Sequence, residues 1–224
     1  MKKSRSFSVI YMFIITFVAG GVVSGIYAAN SQRIALNEQI KLDKVILTVM
    51  NINFDPQAKG EAILRLFEQR VKKEKIDDLT YYRGLEKDGA SLIGYAFPIQ
   101  GAGLWGPIYG MMGVDPELSK ILGVAFYRHS ETPGLGGRIT ENWFVDQFKG
   151  LKLEAQGKNQ RYVTIIRPGK PKRGQEVDGI TGATITSDSV ARFMNKDIRE
   201  YLPALKKAKE KEVSSATQKK TSDA

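Results

Sequence analysis

The sequence predicts an α+β protein: a twisted antiparallel sheet with flanking helices, preceded by one N-terminal transmembrane helix. Three observations predict it. Helical periodicity runs through the N-terminal third, hydrophobic alternation of period two sets in at Leu79 between turn signals, and helical spacing returns near the end, from about Ser187.

The chain opens with "MKKSRSFSVIYMFIITFVAGGVVSGIYAANSQR", a basic start followed by an uncharged, mostly apolar run over residues 8–29. About 20 helical residues cross a hydrocarbon core of about 30 Å. The run exceeds the 7–15 residues or so of a signal-peptide core. Cleavage after Ala28 or Ala29 would also put Ile26 or Tyr27 three residues before the cut, where a small residue is required. The segment therefore reads as an uncleaved anchor. Lys2, Lys3 and Arg5 predict a cytoplasmic N-terminus over residues 1–7, and hence a body on the periplasmic or extracellular side of a bacterial inner (cell) membrane.

Residues 30–78 read as a helical connecting segment. Ile34, Leu36, Ile40, Val45, Ile46 and Val49 continue the helical period. Asp55-Pro56 starts a second amphipathic helix with Ala62, Ile63, Leu66, Phe67 and Val71 on one face. The main domain is predicted over 79–205. "LTYYRGLEKDGASLIGYAFPIQ" is a hairpin turning at Asp88-Gly89, and "LSKILGVAFYRHS" a strand ending at the loop "ETPGLGG". "ENWFVDQFKG" is a short helix and "RYVTIIRPG" another strand. A last helix runs from Ser187 to Lys206, with Val190, Met194, Ile198, Tyr201 and Leu205 on one side. The basic tail, residues 206–224, is predicted to be disordered.

Composition narrows the function. The 224 residues include no cysteine and a single histidine, His129, so a thiol nucleophile and a thiolate or multi-histidine metal site are excluded; no metal is expected. The net charge of +10 collects partly at the N-terminus and partly in the tail, and no basic stripe interleaved with aromatics points to nucleic acid.

Three motifs remain. "GAGLWG", Gly101 to Gly106, matches a dinucleotide fingerprint in letters, but Pro107 follows at once where a helix should open. Its glycines suit close approach of the backbone to something flat, with Leu104 and Trp105 as walls. "HSETPGLGG" is a tight loop presenting Leu135 between glycines; its lone His129 has no evident partner and reads as structural. The third, "DGITGATITS", Asp178 to Ser187, precedes the last helix, whose first-turn N–H groups form a ready anion site. Capping needs one hydroxyl from Thr184, Thr186 or Ser187. It explains neither the repeated hydroxyls nor the small Ala183 beside Thr184. The residues point to an anion at a helix start and leave open whether that anion is covalent.

The third motif resembles the flavinylation signature of the FMN-binding domain family, Asp-x-x-Ser/Thr-Gly-Ala-Thr-x-x-Ser/Thr, at every specified position. The resemblance implies covalent FMN on Thr184 through its phosphate, installed by a flavin transferase that Asp178 assists. Thr181, Gly182, Ala183 and Ser187 complete the signature. Glu131, Thr132, Gly134, Leu135, Gly136, Leu104 and Trp105 would flank the flavin. With the anchor, "GLWGPIYG" and "ETPGLGG" in this order, residues 1–205 resemble the anchored flavin subunits of Nqr and Rnf complexes: NqrC of the Na+-translocating NADH:quinone reductase and its counterpart RnfG. This implies an electron-transfer subunit of an ion-translocating oxidoreductase, a translocase, with other membrane subunits as partners. No residue of the chain is then catalytic by itself, since the redox chemistry is the flavin's. A stand-alone extracytoplasmic flavin carrier and a non-enzymatic phosphate-binding module are the alternatives.

Overall fold

The computed structural model describes residues 5–157, 160–170, 172 and 174–222. Lys2 and Lys3 lie outside the described residues. The chain divides into two compact units, residues 1–41 and 42–224.

The first unit is helical throughout its described residues, as part of α1 (Arg5–Val49). Its 18-residue apolar core has a mean hydropathy of 2.2, enough by length and composition to cross a membrane, and none of it is buried. Polar groups of this stretch bond within the helix. Thr16 Oγ1 donates to Met12 O at 2.8 Å and Asn30 Nδ2 to Ile26 O at 2.8 Å. Such i−4 bonding suits a helix without water around it.

The second unit opens with the last turns of α1, then α2 (Gly60–Arg70) and an antiparallel meander of five strands. These are β1 (Val71–Ile76), β2 (Leu79–Leu85), β3 (Leu92–Ala102), β4 (Pro107–Val114) and β5 (Ile121–Arg128). The short helix α3 (Asn142–Val145) follows, then the two parallel strands β6 (Thr164–Ile166) and β7 (Glu176–Asp178), and finally α4 (Thr184–Ser222).

Strand alternation sorts side chains to two covered faces. On one face Tyr95, Phe97 and Ile99 of β3 and Met112 of β4 join α4, where Phe97 stacks on Tyr201 with ring centroids 4.7 Å apart. Asp197 Oδ2 of α4 accepts from Gln100 N at 2.7 Å, fixing the helix along β3. On the other face Tyr82, Ala96 and Gly113 stand in register, and the end of α1 packs there. A Cβ on Gly113 would overlap Val49 O, so only glycine admits that helix.

Several sequence expectations are corrected. The second helix starts at Gly60, not at Asp55-Pro56, and Val71 opens a strand. Strands β1, β4 and β7 have no counterpart in the pattern of the sequence. The compact unit begins at Leu42, so part of the expected connecting segment belongs with the sheet. Helix α4 starts at Thr184 and its backbone continues to Ser222, where the composition suggests a disordered tail from residue 206. The extension is anchored: Lys207 Nζ lies 3.4 Å from Asp77 Oδ2, and Lys209 Nζ lies 2.8 Å from Glu117 Oε2 and donates to Pro116 O. Leu205 and Ala208 are buried beside these contacts.

One buried group of α1 sets a pH dependence. Asp43 is 4% exposed, its Oδ2 has no hydrogen-bond partner among the described residues, and burial raises its pKa from 3.8 to about 6. The folded state holds this proton more tightly than the unfolded state. Its contribution is therefore fully present below the ordinary value and is lost as pH rises through 6. Asp43→Asn is expected to abolish about 3 kcal/mol of the wild-type decline in stability between acid and neutral pH. Denaturant midpoints of the full chain in detergent, taken across that range, measure it.

Candidate functional site

The N-terminal turn of α4 meets two loops at an open cleft of about 410 Å³. Residues that the sequence distributes over three motifs line it together: Leu104 and Trp105 from the β3–β4 turn, Glu131, Thr132, Leu135 and Gly136 from the loop after β5, and Gly182, Ala183 and Thr184 from the approach to α4. Ile185 and Thr186 complete the lining.

A single carboxylate assembles these segments. Glu131, 4% exposed, accepts from Leu104 N at 2.8 Å and Trp105 N at 3.1 Å through Oε1, and from Thr186 Oγ1 at 2.5 Å through Oε2. Its own N–H donates to His129 Nδ1 at 3.2 Å, which gives the lone histidine its structural role. The carboxylate fits only against bare backbone. A Cβ on Gly103 would overlap Oε1, and one on Gly136 would lie 2.6 Å from both Oε2 and Thr186 Oγ1. Gly103 of "GAGLWG" thus makes room for Glu131, and β4 follows the loop where a dinucleotide site needs a helix.

Helical rotation separates the hydroxyls. Thr186 and Ser187 point inward, 1% and 4% exposed, whereas Thr184 is exposed. Ser187 Oγ accepts from Ile180 N at 3.0 Å and donates to Ala183 O at 3.0 Å, closing the turn that leads into α4. Gly182 holds that turn with φ 79°, a conformation that favours glycine, and sits against Leu135. Thr184 therefore offers an exposed hydroxyl at the first turn of a long helix, beside N–H groups without intrahelical acceptors. Around it Leu104, Trp105, Leu135 and Ile185 are all exposed, Trp105 by 68%. An apolar rim of this kind fits a flat aromatic ring, and the hydroxyl at its edge fits attachment of a phosphate.

Four predicted site residues do not reach this cleft. Ser187 is enclosed in its turn. Thr181 is exposed on the turn before α4, and Gly134 forms the loop tip with φ 74°. Asp178 ends β7, where Lys172 Nζ lies 2.8 Å from its Oδ2, and Gln147 clamps its backbone by accepting from its N–H and donating to its C=O. Its buried Oδ1 has no hydrogen-bond partner among the described residues. Sequence reasoning misses Ile185 and the Thr186–Glu131 bond. The repeated threonines are the only signal for the latter.

An α+β domain with an exposed threonine beside an apolar cleft is an architecture suited to carrying a flat, phosphate-bearing cofactor. In agreement, residues 103–199 match the family of the FMN-binding domain. Curated relatives are the C subunits of the Na(+)-translocating NADH-quinone reductases of Chlamydia muridarum, 33% identical over 134 residues, and of Yersinia pestis, 35% identical over 127 residues. These alignments cover 53% and 55% of this chain and 42% and 47% of the relatives, so the chain spans less than half the length of the relatives it matches. Among solved structures, the corresponding protein from Parabacteroides distasonis superimposes with a TM-score of 0.63 and 28% identity over 75% of this chain and 92% of its own. Shewanella oneidensis NqrC superimposes with a TM-score of 0.58 at 20% identity over 73% and 97%, a likeness of fold.

Glu131→Ala leaves the N–H groups of Leu104 and Trp105 and the buried Thr186 hydroxyl without their acceptor. A loss of about 3 kcal/mol in stability is expected, together with faster proteolysis between residues 129 and 137. Denaturant titration and limited proteolysis measure both.

Proposed function

We propose that this chain is a membrane-anchored electron-transfer subunit that carries FMN through a phosphoester on Thr184. It would serve an Nqr-type, Na+-translocating NADH:quinone oxidoreductase together with other membrane subunits. One observation carries the reading: Thr184 presents an exposed hydroxyl to the cleft from the first turn of α4, beside an apolar rim, within a segment that matches the FMN-binding domain. The names of the relatives and of the Parabacteroides distasonis neighbour favour the Nqr-type complex over the Rnf type.

When bound, FMN supplies reversible electron acceptance; the protein supplies its attachment and surroundings. Thr184 Oγ1 would bear the phosphate, with Gly182 and Ala183 giving it approach. Leu104, Trp105 and Leu135 would hold the ring by apolar contact and shield it from water on one side, leaving an edge open to a neighbouring redox partner. Thr132 would offer a hydrogen bond at the cleft wall. Glu131 would hold the walls together without touching the flavin, since its oxygens already accept three protein hydrogen bonds. A flavin transferase would install the group, with Asp178 and Thr181 in the segment it reads. The apolar stretch of α1 would anchor the chain with its N-terminus in the cytoplasm and the second unit outside.

Thr184→Ala, co-expressed with a flavin transferase, is expected to lose the fluorescent band seen after full denaturation while keeping its helical spectrum. Thr186→Ala is expected to keep the band and lose about 1 kcal/mol of stability. A flavin band that survives in Thr184→Ala would refute the assignment.

A further inference from the structure

Thr184 lines a second, smaller cleft of about 220 Å³, and no other residue is common to both. The second cleft lies between α4 and the segment that follows β6; Arg167, Pro168, Ile180, Ser187 and Asp188 are among its walls. The two clefts differ in charge. In the larger one the only ionisable side chain among the described residues is Glu131, whose carboxylate would repel a phosphate. In the smaller one Arg167 is exposed and makes no ion pair among the described residues, and Asp188 is the single carboxylate. Arg167 is thus, among the described residues, the one cation lining either cleft.

From this juxtaposition we infer that Arg167 is the positioning residue for the phosphodiester on Thr184: the ring occupies the larger cleft, and the phosphate turns into the smaller one against the guanidinium. The inference rests on the proposed attachment of FMN to Thr184. The backbone supports it. Arg167 directly follows β6, whose last residue, Ile166, accepts from Gly179 N at 2.7 Å. Gly179 precedes Ile180, the residue tied to Ser187 Oγ. The segment carrying Arg167 is therefore fastened by hydrogen bonds to the turn that delivers Thr184. A planar guanidinium suits a phosphate oxygen pair. The flavinylation signature does not reach this arginine.

A neighbouring groove of about 620 Å³ supplies the control. Arg161, Arg192 and Arg199 line it, and Thr184 does not. The experiment uses the flavinylated full chain in detergent, comparing wild type with Arg167→Gln, Arg167→Lys and Arg192→Gln. Two readouts are taken: the 31P resonance of the phosphodiester from low to high ionic strength, and the rate at which a nonspecific phosphodiesterase releases flavin. For Arg167→Gln we expect a displaced resonance that no longer responds to salt and release faster by roughly fivefold, the scale of an exposed ion pair. Arg167→Lys should restore the salt response, and Arg192→Gln should match wild type. An Arg167→Gln chain that behaves as wild type overturns the inference while the flavin remains on Thr184. Equal effects in Arg167→Gln and Arg192→Gln overturn it too, because they indicate a diffuse field. A wild-type chain without covalent flavin removes both this inference and the reading beneath it.

Discussion

The cleft depends on a buried negative charge. A carboxylate removed from water is costly unless donors surround it, and Glu131 finds its donors in segments remote along the chain: two amides of the β3–β4 turn and a hydroxyl of α4. Satisfying that one group fixes the turn, the loop after β5 and the helix start in a single arrangement. The protein thereby holds an apolar cleft open to solvent, which a loop of Leu, Trp and Gly would otherwise collapse. Gly103 and Gly136 follow from the same constraint, since a side chain at either would displace the carboxylate.

The sheet determines where that arrangement stands. Phe97 against Tyr201 and Asp197 against Gln100 N align α4 along β3. Once α4 is aligned, the helical repeat turns Thr186 and Ser187 into the protein and leaves Thr184 outside. Hydroxyls alike in chemistry thus acquire different tasks from their angle about one axis. Capping and modification compete as explanations of the threonine-rich stretch. Ser187 makes the capping-type bonds and Thr186 a scaffold bond, which leaves the hydroxyl of Thr184 exposed at the cleft.

What can be read in advance follows the same physics. The β2–β3 hairpin is legible because alternation of period two flanks Asp88-Gly89. Strand β1 is hidden: "VKKEKI" is mostly charged, and its turn to β2 uses Asp77 and Asp78, with φ 48° and 66°, where glycine or asparagine would signal it. Strand β4 reads as turns because of Gly110 and Gly113, yet Gly113 is there to admit α1. The α4 extension is obscured by its polarity, since its ties to Asp77 and Glu117 are long-range. At the site, the local signature and both glycine loops are readable, and they converge. Glu131 reads as a flanking residue, but its bond to Thr186 spans 55 positions and no spacing announces it. Asp178 and Ser187, which the signature places at the site, are held by Lys172, Gln147 and the turn at Ile180 away from the main cleft.

Whether Thr184 alone carries FMN is tested most directly by tandem mass spectrometry of the tryptic peptide Gly174–Arg192, taken from chain co-expressed with an active flavin transferase. A mass increase of one FMN less one water is expected, with every fragment series locating it on Thr184. The same increment on Thr181 or Thr186, or an unmodified peptide from a chain that had met an active transferase, would contradict it.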